Sequence, residues 1–443
     1  MAHLIRRGSL MTRHQKHDYT NLVQRGRIHR SAYTDPDVFA VEMIRVFGGT
    51  WTYLGHESEL PEPYDFKLTN LGLRPVILTR DGDGTIHGLF NRCSHRGVTV
   101  CAEPSGNARR FVCSYHGWTY LSDGRLAAVP FASSCGPEFD QTELGLGRVS
   151  RIDTHRGFIF GVLAPEAPSL HDYLGPVAER IDEWVDRSPA GELVVRHRVR
   201  KIAADANWKL YVDGAADGIH PLFVHRSYLT MGAERDGEGL FLSEFASGLE
   251  ESGMYSQTLP HGHQFLDQRP SLLPSKWAAT RAMPGTEAAV EQLTARHGER
   301  VDEILEQTTV AGMNIFVFPN LSLVDNSIGV VQPRAVDRTE VHWHITSLAD
   351  LDPVAVSLRM RIGEDFPNFG DTDDVEQWER AQRGLRDVPE VQWLRTTRGL
   401  GLDPEADDRG VSTVPITSEA PMRSYHTEWQ RLMGLEPNWL DQD

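Results

Sequence analysis

Two short segments of the chain each pair a thiol with an imidazole: Cys93-Ser94-His95 and Cys113-Ser114-Tyr115-His116. Residues 96–112 separate them. One thiolate and one neutral imidazole from each loop can grip a small inorganic centre, and two chemistries fit. Structural zinc takes four tetrahedral ligands, Cys2His2 among them. A [2Fe-2S] cluster takes two thiolates on one iron and two histidines on the other, which raises its potential. Zinc modules tend to pair Cys with Cys and His with His, whereas here each loop is mixed. Gly97 and Gly117 follow the ligand positions and suit the tight turns that bring backbone donors toward sulfur. Cys101 and Cys135 lie outside the loops and read as ordinary buried thiols.

A second constellation follows Asn207-Trp208-Lys209: Asp217, His220 and His225, with Pro221 between the histidines. Residues five apart do not share a face of a straight helix. A break at Pro221 would let both imidazoles converge. Two histidines and one carboxylate form the facial triad of non-haem Fe(II), which keeps positions open for O2. Taken alone, two histidines so spaced are more often satisfied core residues.

The elements that must hold these groups divide the chain in three. Residues 1–39 read as a basic arm and a helix packing on the catalytic part. That helix covers Asp37 to Phe47, with Thr34 or Asp35 as its cap and Pro36 in its first turn. Residues 40–160 alternate short apolar runs with turns such as Asp81-Gly82-Asp83-Gly84 and Ser122-Asp123-Gly124, and read as a small all-β domain closed by a strand over 155–161. Residues 161–443 mix helices and long strands, so the fold class is α+β around an antiparallel sheet flanked by helices. Helices are expected over 170–185 with a break near Pro176, over 286–306 with a break at Gly298, and over 371–385 and 422–433. Strands are expected over 194–201 and 340–346, with 314–318 and 327–331 as a pair.

With 443 residues the chain can bury most of its unfolded surface in a real core. Its 62 acidic against 45 basic residues give a formal charge of -17, which disfavours a general binder of nucleic acid or of an anionic membrane. Four cysteines do not make a disulfide scaffold. Without a long apolar run or a signal-like start, the expected location is cytoplasmic.

With both constellations on one chain, the sequence resembles the large (alpha) subunits of Rieske non-haem iron aromatic-ring-hydroxylating oxygenases. The resemblance rests on Cys93-x-His95-Arg96-Gly97, Cys113-x-x-His116-Gly117-Trp118, Asn207-Trp208-Lys209 and Asp217-x-x-His220-x4-His225, and covers about residues 40 to 435. Asp373-Asp374-Val375-Glu376-Gln377-Trp378 is similar to the family's Asp-Asp-x-Glu-x-Trp. The resemblance implies that Cys93, His95, Cys113 and His116 hold a Rieske [2Fe-2S] cluster. It implies that His220, His225 and Asp374, with Asp373 as the alternative, hold a mononuclear Fe(II). Asp217 matches the aspartate that hydrogen-bonds a cluster histidine of a neighbouring subunit and an iron histidine of its own. The chain departs from the family at Val212-Asp213, where Glu-Asn is common, and at Ile219, where Tyr is common. Asp213 is therefore a further catalytic candidate, bringing charge or an acceptor toward the iron.

The implied activity is cis-dihydroxylation or monohydroxylation of an aromatic substrate. Phe318-Pro319-Asn320-Leu321 and the C-terminal Trp429, Leu432 and Met433 look like the benzoate, terephthalate and salicylate branches, which points to an aromatic carboxylic acid. The alternatives are O-demethylation or another monooxygenation by the same machinery, and an electron-transfer protein with an inactive second site. Implied partners are a ferredoxin or flavin reductase using NAD(P)H, further copies in a homotrimer, and a small β subunit in an α3β3 assembly. Neither a nucleic acid nor a membrane is expected as a partner. Arg92, Arg96, Arg109 and Arg110 form a basic patch suited to an acidic electron donor. Leu222, Phe223, Val224, Met313, Ile315, Phe366 and Phe369 are expected to line the substrate pocket.

Overall fold

A computed structural model of the chain describes residues 19–215, 217–227, 252–270, 286–301, 312–349 and 370–437, with single positions at 304, 353, 356, 357 and 360. The basic arm before residue 19, and Phe366 and Phe369, lie outside the described residues.

The described chain opens with a hairpin, β1 (Val23–Gln24) and β2 (Arg27–His29), then helices α1 (Ser31–Thr34) and α2 (Pro36–Arg45). Asp35 rather than Thr34 caps α2, accepting from the Asp37 amide at 2.8 Å, with Pro36 in the first turn where no amide is needed. α2 runs across the expected boundary at 39/40. Its apolar face (Val38, Phe39, Val41, Met43) buries in the same cluster as Trp208 and Trp429, and the Met43 carbonyl accepts from Arg74 at 2.8 Å.

The chain enters the β unit after Gly48 and leaves it at Leu163, whose amide donates to the Gly48 carbonyl at 3.0 Å. Between them lie β3 (Thr52–His56), β4 (Asp65–Leu71), β5 (Arg74–Arg80), β6 (Ile86–Phe90), β7 (Ser105–Asn107), β8 (Arg110–Val112), β9 (Thr119–Leu121), β10 (Leu126–Ala128), β11 (Arg151–His155) and β12 (Phe158–Val162). They form three antiparallel sheets, ordered β6-β5-β4-β7, β10-β9-β8 and β11-β12-β3. The expected strand over 155–161 is instead a turn and a strand. Arg156 and Gly157 adopt φ of 48° and 84°, and a Cβ at Gly157 would meet the His56 ring at 2.6 Å. A close approach to His56 thus makes the chain reverse there.

The larger part holds helices α3 (Leu170–Leu174) and α4 (Val177–Asp186), split at Gly175-Pro176, then β13 (Leu193–Ala204), α5 (Trp208–Ala215) and α6 (Pro221–Val224). Next come β14 (Tyr255–Thr258), β15 (Gln264–Asp267), α7 (Thr286–His297), β16 (Met313–Val317), β17 (Leu321–Val324), β18 (Ser327–Ala335) and β19 (Arg338–Leu348). α8 (Asp371–Asp387), β20 (Trp393–Arg395), β21 (Ser412–Pro415) and α9 (Ala420–Met433) complete it. α7 stops where Gly298 takes φ 57°. An eight-stranded antiparallel sheet runs β13-β19-β18-β17-β16-β15-β14-β21. The segments 314–318 and 327–331 are not paired directly: β17 lies between them, with Leu323 opposite both Ile315 and Ile328. The fold is α+β, with the all-β unit ahead of the sheet and its helices.

Alternation along β16 sorts its residues between two cores. Ile315 and Val317 pack with Trp51, Tyr53, Phe158 and Phe160, joining the β unit to the large sheet. Phe316, on the other face, packs with Val38, Phe47, Trp208 and Trp429, where α2, α5 and α9 meet. Inside this second core Glu42 and Lys209 are fully buried and ion-paired. Glu42 also accepts from the Trp208 and Trp429 indoles at 2.9 and 2.8 Å. Burial alone pulls the Lys209 pKa down, and Glu42 opposes that pull. Glu42→Ala would leave an uncompensated buried ammonium. We expect it to cost about 3–5 kcal/mol in denaturant unfolding, and an unchanged midpoint would contradict this role.

Candidate active site

The two Cys/His loops share one design. The Cys93 amide donates to the Val98 carbonyl and the Gly97 amide to the Cys93 carbonyl. The Cys113 amide donates to Trp118 and the Gly117 amide to Cys113 in the same pattern. Gly97 and Gly117 both take left-handed φ, 77° and 70°, which closes each loop around its Cys/His pair. The His95 and His116 rings lie 4.6 Å apart between centroids, and Trp118 stacks on His95 at 4.8 Å. Burial pushes the Cys93 thiol up. The Tyr120 hydroxyl, 3.1 Å from its sulfur, and the backbone donors of His95 and Arg96 more than offset this, so its pKa is lowered. Donors aimed at sulfur favour thiolate and fit a [2Fe-2S] cluster. Tyr120, on β9 just beyond the Cys113 loop, escaped the sequence reading because the Cys/His spacing does not mark it.

The second site forms where α5 ends. α5 stops at Ala215, and Pro221 opens the single turn of α6, so His220 and His225 flank that turn. The break therefore precedes His220, and Pro221 begins the next helix rather than ending one. Gly218 packs so closely on the residue after β21 that a Cβ there would meet Ile416 Cγ1 at 2.0 Å. Asp374 arrives from the first turn of α8. Its Oδ1 lies 3.7 Å from His220 Nε2 and its Oδ2 3.3 Å from His225 Nε2. The donor atoms of His220, His225 and Asp374 all lie within 4.8 Å of one another. Ligands bound about 2.1 Å from one ion, at about a right angle, sit about 3 Å apart, so the group fits a single metal ion. Two imidazoles and a carboxylate are the donor set of non-haem Fe(II). Asp373 faces the other side of His225, with Oδ2 3.9 Å from Nδ1.

Asp217 accepts from the Ile219 amide at 2.7 Å, and its Oδ2 lies 3.9 Å from His220 Nδ1. Its side chain is 42% exposed, so one edge is open at the surface. Asp213 is turned elsewhere. It accepts from the Tyr33 hydroxyl at 2.8 Å, from the Tyr425 hydroxyl, and bonds His426 Nε2 at 3.0 Å. Its carboxylate faces α1 and α9 and is not among the converging donors. Asp371, one turn before Asp374, is buried. Desolvation, and then the Asp374 charge, push its pKa up to about 7.

The expected pocket residues scatter. Met313 and Ile315 are fully buried core residues of the sheet, Leu222 packs against Met254, Leu266 and Ile416, and Phe223 is 74% exposed. Strand alternation placed Met313 and Ile315 on the core face, away from the helices carrying the histidines.

A β unit with two Cys/His loops ahead of an antiparallel sheet with a two-histidine, one-carboxylate group defines the Rieske non-haem iron oxygenase class. Comparison with known proteins agrees and narrows it. Residues 50–143 match the Rieske [2Fe-2S] domain, and residues 192–435 match the family described as ring hydroxylating alpha subunit (catalytic domain). The chain is 32% identical to the 2-halobenzoate 1,2-dioxygenase large subunit of Burkholderia cepacia, over 93% of this chain and 90% of that one. It is 31% identical to the anthranilate 1,2-dioxygenase large subunit of Acinetobacter baylyi, over 92% and 89%. Naphthalene 1,2-dioxygenase with indole bound in its active site superposes with a TM-score of 0.80 at 27% identity, covering 96% of both chains. The chain belongs to the ring-hydroxylating alpha subunits, the large subunits of Rieske ring-hydroxylating oxygenases. Among the described residues, no helix is long and apolar enough to cross a membrane.

A Cβ at Gly117 would meet Pro130 Cγ at 2.9 Å, on top of the left-handed φ, whereas one at Gly136 meets nothing within 4 Å. Gly117→Ala should therefore lower the Rieske absorbance per chain while Gly136→Ala leaves it unchanged. Equal loading in the two variants would contradict the loop geometry as the cause.

Proposed function

We propose that this chain is the oxygenase component of a multicomponent enzyme that hydroxylates an aromatic carboxylic acid with O2, most readily as a cis-dihydroxylation. The observation that carries this reading is the convergence of His220, His225 and Asp374 in a chain about one-third identical to large subunits acting on a halobenzoate and on anthranilate. Cys93, His95, Cys113 and His116 hold the cluster, and His220, His225 and Asp374 hold the iron. When bound, the cluster supplies single electrons and the iron a binding position for O2 beside the substrate.

The chain's own residues do the positioning. Tyr120 and the loop amides favour the thiolate state of Cys93. The Asp217 carboxylate stands 3.9 Å from His220 Nδ1, and its charge favours the tautomer with the proton on Nδ1 and Nε2 free to ligate. Its exposed edge suits a cluster histidine of a neighbouring copy, which supports a head-to-tail homotrimer, with or without a small β subunit. Asp213 anchors α5 to the chain's two ends rather than touching the reacting atoms. Arg92, Arg96, Arg109 and Arg110 are all exposed around the cluster loops and suit an acidic ferredoxin, or a flavin reductase using NAD(P)H. We divide the chain at Gly48 and Leu163, with the terminal helices on the catalytic side.

The test is turnover of benzoates and anthranilates with an added reductase system under 18O2. A diol carrying two labelled atoms is expected, and one labelled atom would favour monooxygenation. His220→Ala should abolish product and keep the Rieske spectrum. Undiminished turnover in that variant would remove His220 from the site.

A further inference from the structure

We infer that Asp371, held by the Trp343 indole, is the positioning residue that aims the Asp374 carboxylate at the two histidines. This rests on the reading of His220, His225 and Asp374 as the iron site and adds a layer behind it.

Asp371 opens α8, and Asp374 follows three residues later on the same helix face. Asp371 is 2% exposed, and its Oδ2 accepts from Trp343 Nε1 at 2.5 Å. Trp343 is itself buried, in β19. Its partner across β18 is Gly329, where a Cβ would meet the indole ring at 2.8 Å. Glycine in that strand gives the ring its room, and the neighbouring strands fix its direction. On the other side Trp343 pairs with Arg200 of β13, whose positive charge acts on Asp371. Further along α8, the Trp378 ring meets Tyr211 of α5 edge-on at 5.4 Å. The helix that delivers Asp374 is thus tied to the sheet by Asp371 and to the histidine-bearing side by Trp378.

A carboxyl buried one turn from another carboxylate is unfavourable, by desolvation and by like charge. Asp371 does not join the converging donors. What its burial provides is a fixed start for α8. Asp374 Oδ2 stands 3.3 Å from His225 Nε2, and a shift of about 1 Å is enough to spoil a metal site.

The experiment is anaerobic Fe(II) titration of the cluster-loaded protein, with the Rieske visible spectrum read in parallel as the measure of fold. Trp343→Phe keeps an aromatic ring in β19 and removes the indole N–H. Asp371→Leu removes the acceptor, and Asp371→Asn keeps an acceptor oxygen. Weakening of Fe(II) binding by about 10- to 100-fold is expected for Trp343→Phe and Asp371→Leu, the range typical of lost support behind a ligand, with substantial recovery in Asp371→Asn. Parent-like affinity in Trp343→Phe overturns the inference, as does Asp371→Asn binding as weakly as Asp371→Leu. If Asp371→Leu also loses the cluster spectrum, the comparison of Trp343→Phe with Asp371→Asn, read only where the Rieske spectrum is kept, decides. Asp374→Ala separates the two levels: if it still binds Fe(II) like the parent, the iron-site reading itself fails.

Discussion

Charge buried away from water must be fully engaged, and this constraint holds α5 where it is. Glu42 and Lys209 neutralise each other at zero exposure, with two indoles completing the carboxylate's bonds. One turn on, Asp213 is gripped by two tyrosines and a histidine that are themselves fully buried. These partners come from α1 and α2, ahead of the β unit, and from α9, near the end of the chain. Removing any one leaves a polar group without its counterpart in a low dielectric, which makes the arrangement all-or-none. The segment with Asp217, His220 and His225 starts where α5 stops, so the network sets the origin from which those side chains project.

The two candidate iron sites use the same logic at different scales. In the β unit, short loops closed by left-handed glycines bring two cysteines and two histidines together, and the hydroxyl of Tyr120 lies 3.1 Å from one sulfur. In the catalytic part, donors far apart in sequence meet because α5 and α8 are each fastened to the large sheet. The site formed by loops is local and robust to what surrounds it. The site formed by helices depends on long-range packing, and its geometry is sensitive to contacts that touch no metal.

This difference explains what the sequence revealed. The Cys/His loops were readable because ligand spacing, turn glycines and metal preference all lie within a few residues. The helix bearing Asp374 was readable as a polar helix, and Asp35 with Pro36 marked the start of α2. Asp213 points toward the iron in sequence because it stands where the resemblance places an Asn, whereas the tyrosines and histidine that claim its carboxylate lie near the two ends of the chain. β17 was missed because four residues after a turn carry little periodic signal. Met313 and Ile315 look like pocket residues in the sequence because apolar character does not say which face of a strand is the core. The Trp343–Asp371 bond joins a strand to a helix, and only the register of β18 against β19 reveals why Gly329 stands opposite the indole.

We propose two separate iron sites on one chain, a cluster in the β unit and a single ion between α6 and α8. Iron and acid-labile sulfide per chain, measured on anaerobically purified protein after Fe(II) addition and removal of excess, tests it directly. A ratio of about three irons to two sulfides is the predicted result. A ratio that stays at about two to two after Fe(II) addition would mean that His220, His225 and Asp374 hold no iron, and would leave an electron-transfer protein in place of an oxygenase.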